Sequence, residues 1–246
     1  MELSHKAEVE LARAVKKLLG VSEVLGEVVV CPSYPSLPAV AEVFGKSPAI
    51  HVGAQHVHWE EKASVTGAVS VLQISPFVHW CLVGHSEQRA LCGMTDEQVQ
   101  KSAALLIRHG LTAVVCLGES WEEHQREETI TRITVQAETL LAGITRPGLS
   151  RLVVVYEPIW AISAQGTGEM PAPGDVAEMS LLIRKLIAER YGAASADSVR
   201  ILYGGSVKPE NVSGYASEPG VDGVLVGRAS TNATAFREIV KAVQTR

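Results

Sequence analysis

One apolar run of the sequence ends in a carboxylate that is placed to act as a base. In VVVYEPIWAI, Glu157 ends the run and Pro158 follows it directly. The carboxylate is therefore expected at the rim of a core, where partial desolvation makes a carboxylate more basic and suits general-base catalysis. A structural Glu paired with a nearby Arg or Lys is the alternative, and this stretch alone leaves both open.

A second apolar run ends in a histidine. In LVGHSEQR, His85 stands where Ser86 and Glu87 begin the next segment. Its ring is expected to face the positive end of a following helix, which favours the neutral form. A neutral imidazole donates one hydrogen bond. The alternative is a core histidine bonded to the backbone.

Three glycine-bearing turns follow later apolar runs. They are SAQGTGEM after Glu157, YGGSVKPEN after the next run and VGRAS after the last one. Glycines at such ends let backbone N–H groups approach an anion closely. GTG alone is weak evidence, because the Lys-Ser/Thr continuation of a P-loop is missing. Together with a base and a neutral histidine, the three turns indicate a site that holds a phosphate and moves protons.

A histidine-rich stretch, HVGAQHVHWEE, raises the possibility of a metal site. It contains His51, His56, His58 and Glu60. The spacing matches neither an H-E-x-x-H helix nor a closed structural zinc site, so no metal is predicted.

The residues above need elements to position them, and the chain alternates short β-branched runs with amphipathic segments. Most of the runs are continuously apolar, which is typical of parallel strands that are covered on both faces. Seven strands are predicted, at residues 27–31, 49–53, 80–84, 113–118, 152–157, 200–205 and 223–227.

About eight helices are predicted between these strands. The opening helix lies in residues 3–19. The clearest of the later helices span residues 95–109, 121–141, 175–191 and 231–243. Regular βα alternation with polar or glycine-bearing strand ends favours an α/β barrel, in which all the carboxyl strand ends meet at one site. A doubly wound sheet also tolerates seven strands, but no glycine-rich fingerprint follows the first one.

The composition fits one domain, residues 1–246, with 46% hydrophobic residues and no linker-like segment. The net charge is −5 and the basic residues are scattered, which argues against nucleic acid and anionic membranes as partners. Cys31, Cys81, Cys92 and Cys116 have no metal-ligand spacing and are expected to be reduced thiols. Because we find neither a signal peptide nor an apolar run of membrane-spanning length, a cytoplasmic protein is expected.

Several of these segments resemble the triosephosphate isomerase family. VGHSE, YEPIWAI, ILYGGSV and DGVLVG occur in the family's order, and VGAQ and CLGE match as well. The resemblance extends from about Leu3 to the C-terminus. It implies a (βα)8 TIM barrel, no cofactor, and interconversion of dihydroxyacetone phosphate and glyceraldehyde 3-phosphate, a reaction of glycolysis and gluconeogenesis.

The resemblance also implies roles for individual residues. Glu157 would be the base that moves a proton between neighbouring carbons through an enediolate, and His85 would donate a hydrogen bond to the enediolate oxygen. Glu87 would be a supporting ionic group, and Cys116 matches the family's cysteine behind the site.

The substrate phosphate would be held by Gly166, Ser206, Gly227 and Arg228. Two of these positions depart from the family pattern. The loop AISAQGTGEMP is longer than the usual one, and Arg228 replaces a common glycine, which puts a side chain where the family usually has none.

The opening stretch LSHKAEVELARAVKKLL matches the family's first helix, whereas the preceding strand with its Asn-x-Lys motif has no counterpart. We therefore expect a barrel that lacks the first strand, with reduced activity, because loss of one preorganised electrostatic donor costs about 10²- to 10³-fold in rate. Three explanations for the missing strand remain open. The sequence is truncated, the natural barrel has seven strands, or another chain supplies the missing ladder.

Two further expectations concern partners and function. The family dimerises through the loop written here EKASVTGAVS, with Thr66 near its tip, so a homo-oligomer is expected, either a dimer or a rearranged assembly. The alternative to an isomerase is a catalytically silent or truncated barrel that serves assembly or binding.

Overall fold

A curled sheet of seven parallel strands forms the centre of the protein. The computed structural model describes residues 2–20, 26–45, 47–162 and 168–244. Each strand pairs with its chain neighbours, in the order β1 to β7. The strands are β1 (Val28–Val30), β2 (Ile50–Ala54), β3 (Trp80–Val83), β4 (Thr112–Leu117), β5 (Leu152–Tyr156), β6 (Arg200–Gly205) and β7 (Gly223–Val226). All seven predicted strands are confirmed, in an α/β barrel architecture.

Helices connect and cover these strands. The described residues contain eleven α-helical segments, more than the eight expected, because several connections hold two short helices. They are α1 (His5–Leu19), α2 (Leu37–Phe44), α3 (Val71–Ile74), α4 (Ser86–Cys92), α5 (Asp96–Arg108), α6 (Trp121–Gln125), α7 (Thr129–Ala142), α8 (Pro173–Tyr191), α9 (Ala193–Asp197), α10 (Val212–Ala216) and α11 (Ala233–Gln244). Within the described ranges, no helix is long and apolar enough to cross a lipid bilayer.

Alternate residues of the strands belong to two separate apolar clusters. On β4, Val115 packs with the helices in the larger cluster, while Val114 and Cys116 belong to the smaller one. The smaller cluster also contains Trp80, Val153 and Val155, and it fills the concave face of the sheet. Because side chains alternate between the two faces of a strand, the seven strands separate an inner core from the outer, helix-covered core.

The opening helix packs against the helices that follow the first and last strands. Ser4 caps α1 by accepting a hydrogen bond from the Ala7 amide at 3.3 Å, and α1 packs against both α2 and α11. In the part of the chain that the structure describes, no backbone ladder joins β7 to β1. An ion pair between Arg200, at the start of β6, and Glu27, just before β1, links the two sides instead.

Candidate active site

Most of the predicted site residues that the structure describes lie at the carboxyl ends of the parallel strands. The registers pair Leu117 with Tyr156, Tyr156 with Tyr203, and Gly205 with Val226. Since all strands are parallel, the residues that follow them meet at the same rim. Glu157, Ser206 and Gly227 therefore follow neighbouring strand ends, and His85 follows β3 after one glycine.

The Glu157 carboxylate is buried, with 3% of its side chain exposed, and contacts two donors. Oε1 lies 2.9 Å from His85 Nε2, and Oε2 accepts the Ser86 backbone amide at 3.1 Å. The Glu157 amide donates to the Leu117 carbonyl at 2.7 Å. A buried carboxylate with both oxygens bonded is held in one orientation at the end of β5.

The His85 ring lies between Glu157 and the first turn of α4. Its Nδ1 accepts the Glu87 amide at 3.3 Å, so the neutral ring carries its proton on Nε2, which faces Glu157. Burial lowers the pKa of His85, but the hydrogen bond and charge of Glu157, with a further contribution from Glu87, outweigh it, and the net pKa is raised. The prediction of a neutral ring considered only the helix N-terminus, which lowers the pKa of His85. The hydrogen bond and charge of Glu157 raise that pKa.

Gly84 allows the chain to turn between β3 and His85. Its φ is +70°, in the left-handed region that favours glycine, and a Cβ there would lie 2.9 Å from Val99 methyl groups. Replacement of this glycine would therefore displace the histidine that follows it.

The residues predicted to hold an anion lie at the ends of β6 and β7. The Ser206 amide and hydroxyl donate to the Ala161 carbonyl at 3.1 and 2.8 Å. Gly227 and Arg228 are exposed directly after β7. Gly166 lies outside the described residues.

Comparison with known proteins agrees with this geometry. The profile of the family described as triosephosphate isomerase matches residues 1–243. The chain belongs to the triosephosphate isomerase family. It is 40% identical over 238 residues to the triosephosphate isomerase of Caldanaerobacter subterraneus subsp. tengcongensis, covering 96% of this chain and 94% of that protein. It is 40% identical to that of Carboxydothermus hydrogenoformans over 242 residues, with the same coverage, and 42% identical to that of Trichlorobacter lovleyi over 217 residues, covering 87% and 84%. The resemblance predicted from the sequence motifs is confirmed, and with it an isomerase.

Cys116, which matches the family's cysteine behind the site, lies on the inner face of β4 beside Glu157. The thiol is 1% exposed. Burial, followed by the nearby Glu157 charge, raises the pKa of Cys116 well above its ordinary value. A neutral thiol therefore lies next to the carboxylate and adds no second negative charge to it.

Glu87, the predicted ionic support, is half exposed. One of its carboxylate oxygens lies 3.8 Å from Nδ1 of His85, and its backbone amide donates to the same nitrogen. The amide therefore contacts the ring more closely than the carboxylate does.

A second buried carboxylate, Glu119, contributes to the site, and our sequence analysis assigned it no role. Its side chain is fully buried at the end of β4. Oε1 accepts Trp160 Nε1 at 2.8 Å and the Tyr156 hydroxyl at 3.2 Å, and its backbone carbonyl accepts the Ile159 amide at 3.0 Å. Glu119 therefore holds the residues on both sides of Glu157. Its place in CLGE, at a strand end beside the Glu157 strand, was the available signal.

Two rings of the histidine-rich stretch pack against tryptophans. His51 lies against Trp80 on the concave face, while His58 stacks on Trp59 with ring centroids 4.0 Å apart. Among residues 2–20, 26–45, 47–162 and 168–244, no three His, Cys, Asp or Glu side chains are grouped so that they could hold a metal ion.

Proposed function

We propose that this chain interconverts dihydroxyacetone phosphate and glyceraldehyde 3-phosphate. Family membership supports this reaction. The contact between Glu157 and His85 is the observation that carries the proposal, because it places a carboxylate base and an N–H donor side by side at the rim of the barrel.

Glu157 acts as the base. Its carboxylate removes a proton from the carbon next to the substrate carbonyl, and the electrons of that C–H bond form the carbon–carbon double bond of an enediolate. The same carboxyl group then returns the proton to the neighbouring carbon, while the hydroxyl oxygen of the first carbon loses its proton and the former carbonyl oxygen gains one. The substrate gains and loses no protons or electrons in total, so the reaction needs no redox partner.

His85 acts as the electrophile. Its Nε2–H, which donates to Glu157 Oε1 in the structure, exchanges that bond for one to the substrate oxygen on which negative charge develops. A hydrogen-bond donor directed at a developing oxyanion stabilises the transition state more than the ground state, which raises the rate. Glu87 and Cys116 support this pair through the contacts described above.

The phosphate is bound at the adjacent ends of β6 and β7, by Ser206, Gly227 and Arg228. The Ser206 amide donates to the Ala161 carbonyl, so phosphate binding at this amide replaces that bond. The exposed guanidinium of Arg228 adds a positive charge beside the anion. Gly166 is proposed as a fourth contact on the basis of the sequence resemblance alone.

The test is conversion of glyceraldehyde 3-phosphate by the purified chain, with Glu157→Gln as the paired variant. Gln keeps the size of the side chain and removes the base. Turnover that Glu157→Gln abolishes supports the isomerase. A folded wild-type chain with no turnover above that of the variant would refute the proposal and favour a silent barrel that serves assembly or binding.

A further inference from the structure

Arg89 lies on α4, one turn after His85, and contacts the backbone that carries the imidazole. The Arg89 amide donates to the His85 carbonyl at 3.2 Å. The side chain turns back, and its Nε donates to the Gly84 carbonyl at 2.7 Å. Because the Gly84 carbonyl and the His85 amide belong to one planar peptide group, this bond fixes the backbone directly before the imidazole.

The same guanidinium reaches the neighbouring strand. Its Nη2 donates to the Cys116 carbonyl at 3.1 Å, whereas the β3–β4 ladder ends one residue earlier on each strand. The carbonyls of successive residues point to opposite sides of a strand. The Leu117 carbonyl accepts from Glu157 on the β5 side, so the Cys116 carbonyl faces β3. Arg89 therefore joins β4 to the end of β3 at the point where Gly84 turns out of the ladder.

An acidic side chain compensates the charge of this guanidinium. The Arg89 side chain is 11% exposed, and its Nη1 pairs with the Asp96 carboxylate in the first turn of α5. The other oxygen of Asp96 pairs with Arg132 at 2.8 Å. Because a charge removed from water must be paired, Asp96 allows Arg89 to stay beside the strand ends. The ion-pair partners of Arg132 are the carboxylates of Asp96 and Glu123.

We propose that Arg89 is a positioning residue for His85 and for its contact with Glu157. Its two side-chain bonds to carbonyls join the end of β3 to β4, the strand whose end supports the backbone of Glu157. The first turn of α4 also supplies one backbone amide to each group, from Ser86 and Glu87, and Arg89 holds this turn. The inference rests on the isomerase activity proposed above, and it assigns Arg89 no contact with the substrate.

Arg89→Lys separates the bonds to the carbonyls from the charge. Lysine keeps the positive charge beside Asp96, so the fold is retained, but its single nitrogen cannot replace the three directed contacts of a planar guanidinium. Displacement of a reacting group by about 1 Å costs up to about 100-fold in rate, so we expect kcat to fall by about 10- to 100-fold. The KM should stay within about twofold, because ground-state binding is retained.

Arg132→Lys is the matched control. It makes the same change in the second arginine that pairs with Asp96, whose contacts are with carboxylates. This variant should keep kcat within about twofold of the wild type. Wild-type kcat in Arg89→Lys would overturn the inference. Equal losses of kcat in the two variants would also overturn it, because the ion pairs to Asp96 would then account for the effect.

A second measurement does not depend on activity. Burial lowers the pKa of His85, but the hydrogen bond and charge of Glu157 outweigh it and raise the net pKa. If Arg89→Lys moves the imidazole away from Glu157, the pKa of His85 should fall in an NMR titration, whereas Arg132→Lys should leave it unchanged. Both variants keep their positive charge, so the difference between them reports the position of the ring.

The two proposals fail in different ways. An unchanged pKa of His85 in Arg89→Lys would overturn the positioning role, even if kcat fell. A wild-type chain without turnover would instead refute the proposed function, and the pKa comparison would then decide whether Arg89 positions His85.

Discussion

His85 and Glu157 are in direct contact, with Nε2 of the imidazole 2.9 Å from Oε1 of the carboxylate. Separate elements fix the two groups: α4 donates an amide to the far side of the imidazole, and the end of β4 supports the backbone of Glu157. The relative position of the proposed base and donor is therefore set by the sheet and the start of α4. Such preorganisation is what a proton transfer through a charged intermediate requires.

Shortening the base tests this placement. Glu157→Asp removes one methylene, and the shorter side chain cannot keep both the His85 and Ser86 contacts. We expect kcat to fall by about 100-fold, because the carboxylate retreats by about one bond length from the reacting carbon. The KM should change little. Steady-state kinetics in both directions of the isomerisation would check this.

Glu138→Asp is the control for the same chemical change. Glu138 is exposed on α7, away from the strand ends. This variant should have wild-type kinetics. If Glu157→Asp also had wild-type kcat, Glu157 would not be the base.

The sequence was sufficient to predict the strand ends and the residues that follow them. Glu157 and His85 could be recognised because each ends a continuously apolar run, and parallel strands place such ends at one rim. Glu119 could not be assigned from CLGE, since its role depends on Trp160 and Tyr156, which are distant in the chain. Bonds between separate loops, such as Ser206 to Ala161, likewise depend on how the turns pack and leave no local pattern.

The contact with Glu157 should be visible in the titration of His85. The pKa of His85 is raised by the hydrogen bond and charge of Glu157 against the opposing effect of burial. Glu157→Gln removes the charge while the burial remains, so the pKa of His85 should fall. NMR titration of the imidazole signals would measure it, with the His85 signal assigned by its loss in His85→Gln. An unchanged pKa in Glu157→Gln would contradict the contact.

The same raised pKa predicts how stability depends on pH. Protonated His85 is stabilised in the folded state, so its contribution is fully present below the unfolded value, about 6.5. It is lost as the pH rises through the raised pKa of the folded state. The free energy of unfolding of wild type minus that of His85→Gln should therefore be larger at pH 5.5 than at pH 9. Urea unfolding at the two pH values would test this, and a difference that grows with pH would exclude it.

Gly118 is required by the close approach of two backbones. A Cβ at this residue would lie 1.8 Å from the Glu157 carbonyl oxygen and 2.6 Å from its carbon. Gly118→Ala must therefore displace the main chain of Glu157, the proposed base. We expect kcat to fall by about 100-fold and the melting temperature to decrease, since overpacking costs about 1–3 kcal/mol.

Gly174→Ala is the matched control for that change. Gly174 lies in the first turn of α8, and a Cβ there would have nothing within 4 Å. This variant should keep wild-type kcat and be slightly more stable, because alanine favours a helix over glycine by up to about 1 kcal/mol. Wild-type kcat in Gly118→Ala would show that the position of Glu157 does not depend on this contact.

Arg228 provides a test of phosphate binding. Arg228 is exposed directly after β7, in the turn proposed to hold the anion. Arg228→Ala keeps the backbone amide and removes the guanidinium, so the KM should rise by about two- to fivefold, as expected for an exposed ion pair. Because salt screens exposed charges, the ratio of the variant's KM to the wild-type KM should shrink at about 1 M ionic strength.

Arg151→Ala is the control. It removes an exposed arginine before β5, at the opposite ends of the strands, and should leave the KM unchanged. An equal KM in Arg228→Ala and wild type at low salt would mean that the backbone amides alone hold the phosphate.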